Sequence, residues 1–167
     1  MFYCTYESNM GPLYLISDGE SLNGCYLEGQ KYFPDNIDNY HLNEELDIFV
    51  KSKAWLEKYF NGENPSIDEI PLNYIGTEFR KTVWEILKDI SYGELVTYKH
   101  IAEKIAKDKG LETMSAQAVG GAVGQNPLLI FIPCHRVIGV DGSLTGYAAG
   151  LENKRFLLNL ESDNNHY

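Results

Sequence analysis

Residues 115–137 read SAQAVGGAVGQNPLLIFIPCHRV and are the most informative part of the 167-residue chain for its fold. Ser115 is a good N-cap for a helix that runs to about Gln125. The three glycines of this helix, Gly120, Gly121 and Gly124, each cost about 1 kcal/mol relative to alanine. Two explanations for such small residues stay open: tight helix–helix packing, or a helix that enters a narrow groove such as the minor groove of DNA.

The second half of the same stretch presents a cysteine. Five apolar residues at 128–132 predict a short, fully buried strand that Pro133 ends. Cys134 follows, and a cysteine becomes a good nucleophile when a nearby histidine or helix N-terminus lowers its pKa. Adjacent side chains of an extended segment point to opposite faces, so Cys134 and His135 cooperate only if the backbone turns there or a water bridges them. The alternative is a buried structural cysteine beside a surface histidine.

Two more helices are predicted before this stretch. Thr77 is a good N-cap, and apolar residues at 79, 83, 86, 87 and 90 follow on one helical face. Thr97 caps a second helix, which the polar segment 107–113 ends. Helices separated by short breaks are the outline of a helix-turn-helix unit. A final helix contains Leu158 and Glu161, and Glu161, judged alone, is expected to be a surface carboxylate.

The N-terminal part has a different pattern. Apolar runs at 13–16 and 22–27 predict antiparallel strands with short connections. The segment 42–60 predicts an amphipathic helix, which Asn61-Gly62 ends. The connection that follows contains prolines and is expected to include a last short strand near 67–72.

Charge also divides the chain into two parts. The net charge is −10; residues 1–75 contain 4 basic and 13 acidic side chains, and residues 76–167 contain 10 and 11. A strongly acidic protein is not expected to bind nucleic acid, because phosphate binding usually comes with a basic surface. The second part, however, is nearly neutral. We therefore predict two domains with different partners, 1–74 and 75–167.

Several classes of protein are excluded by composition. No apolar run approaches the ~20 residues that span a bilayer, and the N-terminus lacks the pattern of a secretory signal. The chain is therefore expected to be cytoplasmic, with no membrane partner. Three cysteines are too few, and odd in number, for a disulfide scaffold. Cys4, Cys25 and His41 lack the spacing of zinc ligands, so neither a metal nor another cofactor is expected.

The sequence resembles the O6-alkylguanine-DNA alkyltransferases (methylated-DNA–protein-cysteine methyltransferases). The segment 132–138, Ile-Pro-Cys-His-Arg-Val-Ile, looks like the active-site signature of that family, and Asn126-Pro127 lies upstream at the family's spacing. The resemblance is dense from about residue 75 to 161 and loose before that. Its other matching segments are Gly76–Phe79, Val83-Trp84, Tyr92-Gly93, Thr97-Tyr98, Ala118–Ala122, Gly146-Tyr147 and Leu157-Leu158 with Glu161.

The resemblance implies an α+β protein: an N-terminal α/β unit with a small antiparallel sheet, followed by a C-terminal winged helix-turn-helix-like DNA-binding domain. It also implies repair of O6-alkylguanine, and of O4-alkylthymine, in double-stranded DNA. Such a protein binds the minor groove as a monomer, flips the damaged base out of the stack and transfers the alkyl group irreversibly to its own cysteine. The resemblance thus implies a DNA-associated suicide transferase of the bacterial or archaeal type, which needs no cofactor.

The resemblance also assigns roles to residues. Cys134 is the nucleophile, His135 takes its proton, and Glu161 orients His135 and stabilises its cation. The resemblance further implies three sets of residues. Asn126 holds the cysteine loop and Tyr98 helps to protonate the leaving base; Tyr98, Val137, Tyr147 and Ala148 line the substrate pocket; and Thr97, Ser115, Ala116, Gln117, Ala118, Gly121 and Arg136 contact DNA.

One departure from the family concerns DNA affinity. Gln117 stands where the family often has an arginine that fills the gap left by the flipped base. Five of the ten basic residues of this half are expected around the DNA face: Lys99, Lys104, Lys107, Lys109 and Arg136. Modest, salt-sensitive DNA binding is therefore predicted.

Two other functions stay open from the residues alone. The first is a thiol hydrolase or peptidase that uses Cys134 and His135. The second is a module that binds alkylated DNA without repairing it; such relatives lack the cysteine, so Cys134 argues against this possibility.

Overall fold

A computed structural model describes residues 1–162 and divides the chain into two units. The first unit contains Met1–Ile75 and a later segment, Pro127–Phe131; the second contains Gly76–Asn126 and the chain from Ile132 onwards. One unit holds a small, mainly antiparallel sheet, and the other is mostly helical. The predicted α+β class is therefore confirmed.

The first unit is built on a four-stranded sheet with the order β3-β2-β1-β4. Strands β1 and β2 pair antiparallel, as do β2 and β3, whereas the two-residue β4 pairs parallel with β1. In β2, the alternate residues Leu13 and Leu15 are fully buried, as the twofold periodicity of a strand requires. The strands are β1 (Phe2–Ser8), β2 (Gly11–Ser17), β3 (Leu22–Leu27) and β4 (His41–Leu42).

The helix of this unit, α1, spans Asp47–Phe60, and the prediction that it begins at residue 42 was wrong. Leu42 instead pairs with the sheet and is 62% exposed. Val50, expected on the apolar face, is 57% exposed, whereas Trp55 and Leu56 are buried. The predicted end at Asn61-Gly62 is confirmed, and Gly62 adopts a left-handed conformation with φ +87°.

The predicted strand at 128–132 was also wrong, although its burial was predicted correctly. Isolated bridge residues occur at Leu128, Leu129 and Ile132 in place of a continuous strand, and Leu128 pairs with Cys25. Ile130 has φ +73°, a conformation in which a β-branched residue cannot continue a strand. Phe131 instead stacks on Trp55, with ring centroids 4.6 Å apart. The expected short strand near 67–72 is present only as a bridge between Leu72 and Leu22, which follows a 3₁₀ turn at Ile67–Glu69.

The second unit contains four helices and a two-stranded parallel pair, β5 and β6. The predicted caps are confirmed, because the hydroxyls of Thr77, Thr97 and Ser115 each accept a backbone N–H three residues on. No helix within residues 1–162 is long and apolar enough to cross a bilayer. The elements are α2 (Glu78–Lys88), β5 (Val96–Thr97), α3 (Tyr98–Lys109), α4 (Ala116–Gly124), β6 (Val137–Ile138) and α5 (Leu151–Glu161).

Candidate active site

The backbone turns sharply where it presents the cysteine. Pro133 has φ −80° and ψ 65°, and the N–H of Cys134 donates to the carbonyl of Ile132 at 2.8 Å. These are the features of an inverse γ-turn. A 3₁₀ turn, Cys134–Arg136, follows at once. The chain is therefore not extended at Cys134 and His135, so the geometric condition for cooperation between adjacent residues is met.

Cys134 is 4% exposed, and burial raises the pKa of its thiol to about 11. A hydrogen bond from the Asn126 side chain and the charge of Lys154 both oppose this rise in pKa. Asn126 is itself buried, and its amide donates to the Ile132 carbonyl at 2.7 Å, which fixes the start of the turn. The resting group is a thiol at neutral pH, so reaction requires a base that removes its proton.

His135, the next residue of the turn, carries an imidazole that can accept a proton. Its ring is fully buried, and Nε2 lies 2.5 Å from Oε2 of Glu161. Burial lowers the pKa of His135, although the Glu161 carboxylate opposes that effect. The neutral imidazole, which can accept a proton, is therefore favoured. Glu161 is only 6% exposed, so the expectation of a surface carboxylate was wrong.

Arg136 also holds Glu161. Its Nε donates to Oε1 at 2.7 Å, Nη2 donates to Oε2 at 3.1 Å, and Nη1 donates to the Ile90 carbonyl at 2.6 Å. The N–H of Gly93 adds a further bond to Oε1, at 3.1 Å. Burial alone raises the pKa of Glu161, but the hydrogen bonds and charges of His135 and Arg136 outweigh it and hold that pKa well below its usual range.

These contacts change the assignment of Arg136. The residue was predicted to contact DNA, but it is 8% exposed and its guanidinium is directed at Glu161 and a backbone carbonyl. A buried guanidinium with these partners does not present charge to a phosphate. We therefore assign Arg136 to the support of the Glu161 carboxylate rather than to the DNA face.

A cavity of about 480 Å³ has Tyr98 in its wall. Tyr98 and Thr145 both line this cavity, and the Tyr98 hydroxyl donates to the Thr145 carbonyl at 2.9 Å. Burial raises the pKa of Tyr98, and the nearby Cys134 adds to the effect. Tyr98 thus connects the cavity with the thiol. The lining residues are Tyr98, Lys99, Ala116, Gln117, Gly120, Gly139, Val140, Thr145 and Gly146.

The wall of this cavity only partly matches the predicted pocket. Tyr98 lines it, but Val137 is fully buried, and Tyr147 and Ala148 lie outside its lining. The part that sequence reasoning missed is the segment 139–146. Its turn residues were visible in the sequence, but nothing in the pattern indicates which backbone faces a cavity.

The outer face of α4 is exposed and nearly smooth. A Cβ atom added at Gly121 or Gly124 would meet nothing within 4 Å, and one added at Gly120 would meet only the Tyr98 ring, at an ordinary 3.8 Å. Tight packing within the protein therefore does not explain these glycines. The exposed residues of the helix are Ala116, Gln117, Ala118 and Gly121.

Thr97 and Ser115, both predicted to contact DNA, use their hydroxyls as helix caps. The cysteines of the first unit give no sign of a metal site. Cys4 and Cys25 are fully buried in the sheet, and burial raises the pKa of both thiols. Within residues 1–162, no group of three His, Cys, Asp or Glu side chains is placed to hold a metal ion.

Both parts of the chain match profiles of one protein family. Residues 1–74 match the "6-O-methylguanine DNA methyltransferase, ribonuclease-like domain", and residues 78–163 match the "6-O-methylguanine DNA methyltransferase, DNA binding domain". A Haemophilus influenzae protein named methylated-DNA–protein-cysteine methyltransferase is 45% identical over 161 residues, covering 96% of this chain and 86% of the relative. A Methanosarcina acetivorans protein of the same name is 45% identical over 162 residues, covering 96% and 98%.

Solved structures of O6-methylguanine DNA methyltransferases are also similar to this chain. The crystal structure of Mycobacterium tuberculosis OGT in complex with DNA superimposes with a TM-score of 0.82 at 37% identity, covering 96% of this chain and 92% of that one. An O6-methylguanine DNA methyltransferase from Methanococcus jannaschii gives a TM-score of 0.67 at 32% identity, covering 95% and 92%.

Proposed function

Because the chain belongs to the 6-O-methylguanine DNA methyltransferase family, we propose that it repairs DNA by transferring the alkyl group of O6-alkylguanine to Cys134. The observation that carries the proposal is a buried cysteine on a turn, next to a histidine that a buried carboxylate holds at 2.5 Å. A thiolate suits displacement at a saturated carbon because sulfur is a soft nucleophile. O4-alkylthymine, which has the same alkyl–oxygen bond, is the second substrate that we propose.

The first chemical step is removal of the thiol proton. The pKa of Glu161 is held low, so its carboxylate accepts a hydrogen bond and His135 carries its own proton on Nε2. Nδ1 is then the nitrogen with the lone pair, and it takes the proton of Cys134, directly or through one water. The imidazolium that results is stabilised by the Glu161 anion.

The second step is alkyl transfer. The sulfur of Cys134 forms a bond to the alkyl carbon, the bond from that carbon to O6 breaks, and guanine leaves with the electron pair. Tyr98 donates its hydroxyl proton to the leaving base and is reprotonated from solvent, while the imidazolium of His135 returns the thiol proton to solvent, so the protons balance. The product is a thioether, and because it has no acyl carbon for water to attack, each molecule acts once.

DNA is bound through the exposed face of α4. Its small residues fit the minor groove of a duplex, and Gln117 lies both on this face and in the cavity wall. A base flipped into the cavity would leave a gap in the stack that Gln117 is placed to enter. We propose that one protein molecule is sufficient for this, since every residue assigned to the site comes from one chain.

The test is a mass measurement on the peptide that contains Cys134. Incubation with duplex DNA that contains one O6-methylguanine is expected to replace one hydrogen of that peptide by one methyl group. The amount of methyl transferred should not exceed one group per protein molecule. The same duplex with ordinary guanine is the control, and Cys134→Ser is expected to lose transfer but keep DNA binding.

A methyl group on another residue would contradict the assignment of Cys134. Sustained turnover of a thioester or peptide would favour the thiol hydrolase instead, since a suicide transferase stops after one reaction. DNA binding with no methyl transfer would favour a binding module.

A further inference from the structure

Lys154, on the first turns of α5, is fully buried. Lysine is almost never fully buried unless it is paired with an opposite charge. Among residues 1–162, no carboxylate forms an ion pair with Lys154. Its burial therefore has a cost that the fold must offset. No pattern in the sequence indicates this burial, because a lysine on an amphipathic helix is normally a surface residue.

Three backbone carbonyls surround the ammonium group. Nζ donates to the carbonyl of Val137 at 2.6 Å, to that of Thr145 at 3.1 Å and to that of Gly146 at 3.3 Å. An ammonium has three N–H donors, so these carbonyls use all of them. Lys154 consequently has no donor left for the thiol or for a base, and any effect on the reaction must act through its charge or through these carbonyls.

The first carbonyl connects Lys154 to the nucleophile. Val137 ends the 3₁₀ turn that carries Cys134, and its N–H bonds back to the Cys134 carbonyl. The ammonium is also 5.9 Å from the centre of the Tyr98 ring. A positive charge fixed at this position favours the thiolate over the thiol, in agreement with the lowering that Lys154 exerts on the pKa of Cys134.

The second carbonyl connects Lys154 to the cavity. The Thr145 oxygen accepts two hydrogen bonds, one from the Tyr98 hydroxyl at 2.9 Å and one from Lys154 at 3.1 Å. Tyr98 must release this oxygen before it can donate to a flipped base. Because Lys154 stays bound, the Thr145 carbonyl keeps a partner, so the release does not leave a buried acceptor unsatisfied.

We infer that Lys154 is a positioning residue for alkyl transfer: its buried cation favours the Cys134 thiolate and holds the Thr145 carbonyl while Tyr98 turns to the base. Only the second half of this inference, the role at the Thr145 carbonyl, rests on the proposed function. The first half concerns the thiol alone and can be tested without DNA.

Burial lowers the pKa of Lys154 to about 8, so the cation predominates at pH 7. This state can be read in the unmodified protein by ¹⁵N NMR of the lysine side chains. A slowly exchanging ammonium signal for Lys154 at pH 7 is expected, with a titration midpoint below those of the surface lysines. A neutral amine at pH 7 would overturn the inference, whatever the behaviour of any variant.

The main experiment uses Lys154→Met, which keeps the side-chain length but removes the charge and the donors. Iodoacetamide, a small neutral electrophile, is added at pH 7, where Lys154 is mainly a cation, and alkylation of the Cys134 peptide is followed by mass spectrometry. We expect alkylation about tenfold slower than in the wild type, since a rise of one pKa unit lowers the thiolate fraction tenfold. Arg155→Met, which removes an exposed charge from the next position, is the matched control and is expected to leave the rate unchanged.

An equal rate in folded Lys154→Met and wild type would overturn the role of the cation. The role of the Thr145 carbonyl is tested by methyl transfer from O6-methylguanine DNA. Lys154→Met is expected to slow transfer by a larger factor in the wild-type background than in Tyr98→Phe, where no hydroxyl has to leave the carbonyl. Equal factors would overturn this second role. If wild-type protein shows no transfer while the iodoacetamide rates differ as expected, the proposed function fails but the effect on the thiol stands.

Discussion

Arg136 and Glu161 meet through two hydrogen bonds, from Nε to Oε1 at 2.7 Å and from Nη2 to Oε2 at 3.1 Å. Both side chains are buried, and the same carboxylate holds His135. A bidentate pair of this kind fixes orientation as well as charge. Arg136, the residue that follows His135, therefore helps to set the geometry of the His135–Glu161 pair.

Arg136→Gln is expected to destabilise the fold without changing the electrostatics of DNA binding. Removal of one partner leaves Glu161 buried with less compensation, which costs about 3 kcal/mol of unfolding free energy. Urea denaturation measures this loss. The DNA-binding constant K is measured in a Cys134→Ser background. The slope of log K against log salt concentration is expected to be the same with Arg136→Gln as with Arg136 unchanged.

Lys99→Gln is the matched comparison for that experiment. Lys99 is exposed and lines the cavity, so its loss is expected to reduce the salt slope by about 0.9, the contribution of one phosphate contact, and to leave stability unchanged. A reduced slope for Arg136→Gln would return Arg136 to the DNA face.

The rate of alkyl transfer is expected to persist below the pH at which an ordinary histidine becomes protonated. Burial lowers the pKa of His135, so the neutral base survives below about pH 6.5, the usual value for histidine. The acidic limb of a pH profile, measured as the rate of single-turnover transfer, shows where the rate falls. A rate that halves at pH 6.5 or above would contradict a lowered pKa for the proposed base.

Glu161→Gln is expected to change the same profile in two ways. The Glu161 carboxylate raises the pKa of His135, so its removal lowers that pKa further and moves the acidic limb to still lower pH. The maximum rate falls by about 100-fold, in the range of general-base effects, because the imidazolium loses its anion. An unchanged maximum would remove Glu161 from the mechanism.

Gln117→Arg is expected to tighten DNA binding. The substitution adds one positive charge on the exposed face of α4, beside the cavity. A steeper salt slope, by about 0.9, and higher affinity at low salt should follow, measured in the Cys134→Ser background. Gln125→Arg adds the same charge at the C-cap of α4, outside the cavity lining, and is expected to have the smaller effect. Equal effects would mean that Gln117 has no special position.

Gly121→Leu is expected to separate stability from DNA binding. A side chain at this position meets open space, and leucine favours a helix over glycine by nearly 1 kcal/mol, so the midpoint of urea unfolding should rise. A bulky side chain on the face that enters a narrow groove should weaken DNA binding at least tenfold. Higher stability with unchanged binding would show that this face does not enter the groove.

The sequence determined the local features of this protein. The caps at Thr77, Thr97 and Ser115 depend on a hydroxyl and an N–H three residues apart, and the helices depend on apolar residues at short spacing. Pro133 fixes the turn that presents Cys134 by restricting its own φ. Each of these signals lies within a few residues of the structure that it produces, so pattern reasoning could find it.

Only the tertiary structure determined which charged groups are buried and what they face. Glu161 receives donors 25, 26 and 68 residues away in sequence, and Arg136 also binds a carbonyl 46 residues away. Lys154 takes a similar place among three carbonyls. A buried charge is tolerated only where enough partners converge on it, and convergence of distant segments is a property of the folded chain, which no local pattern contains.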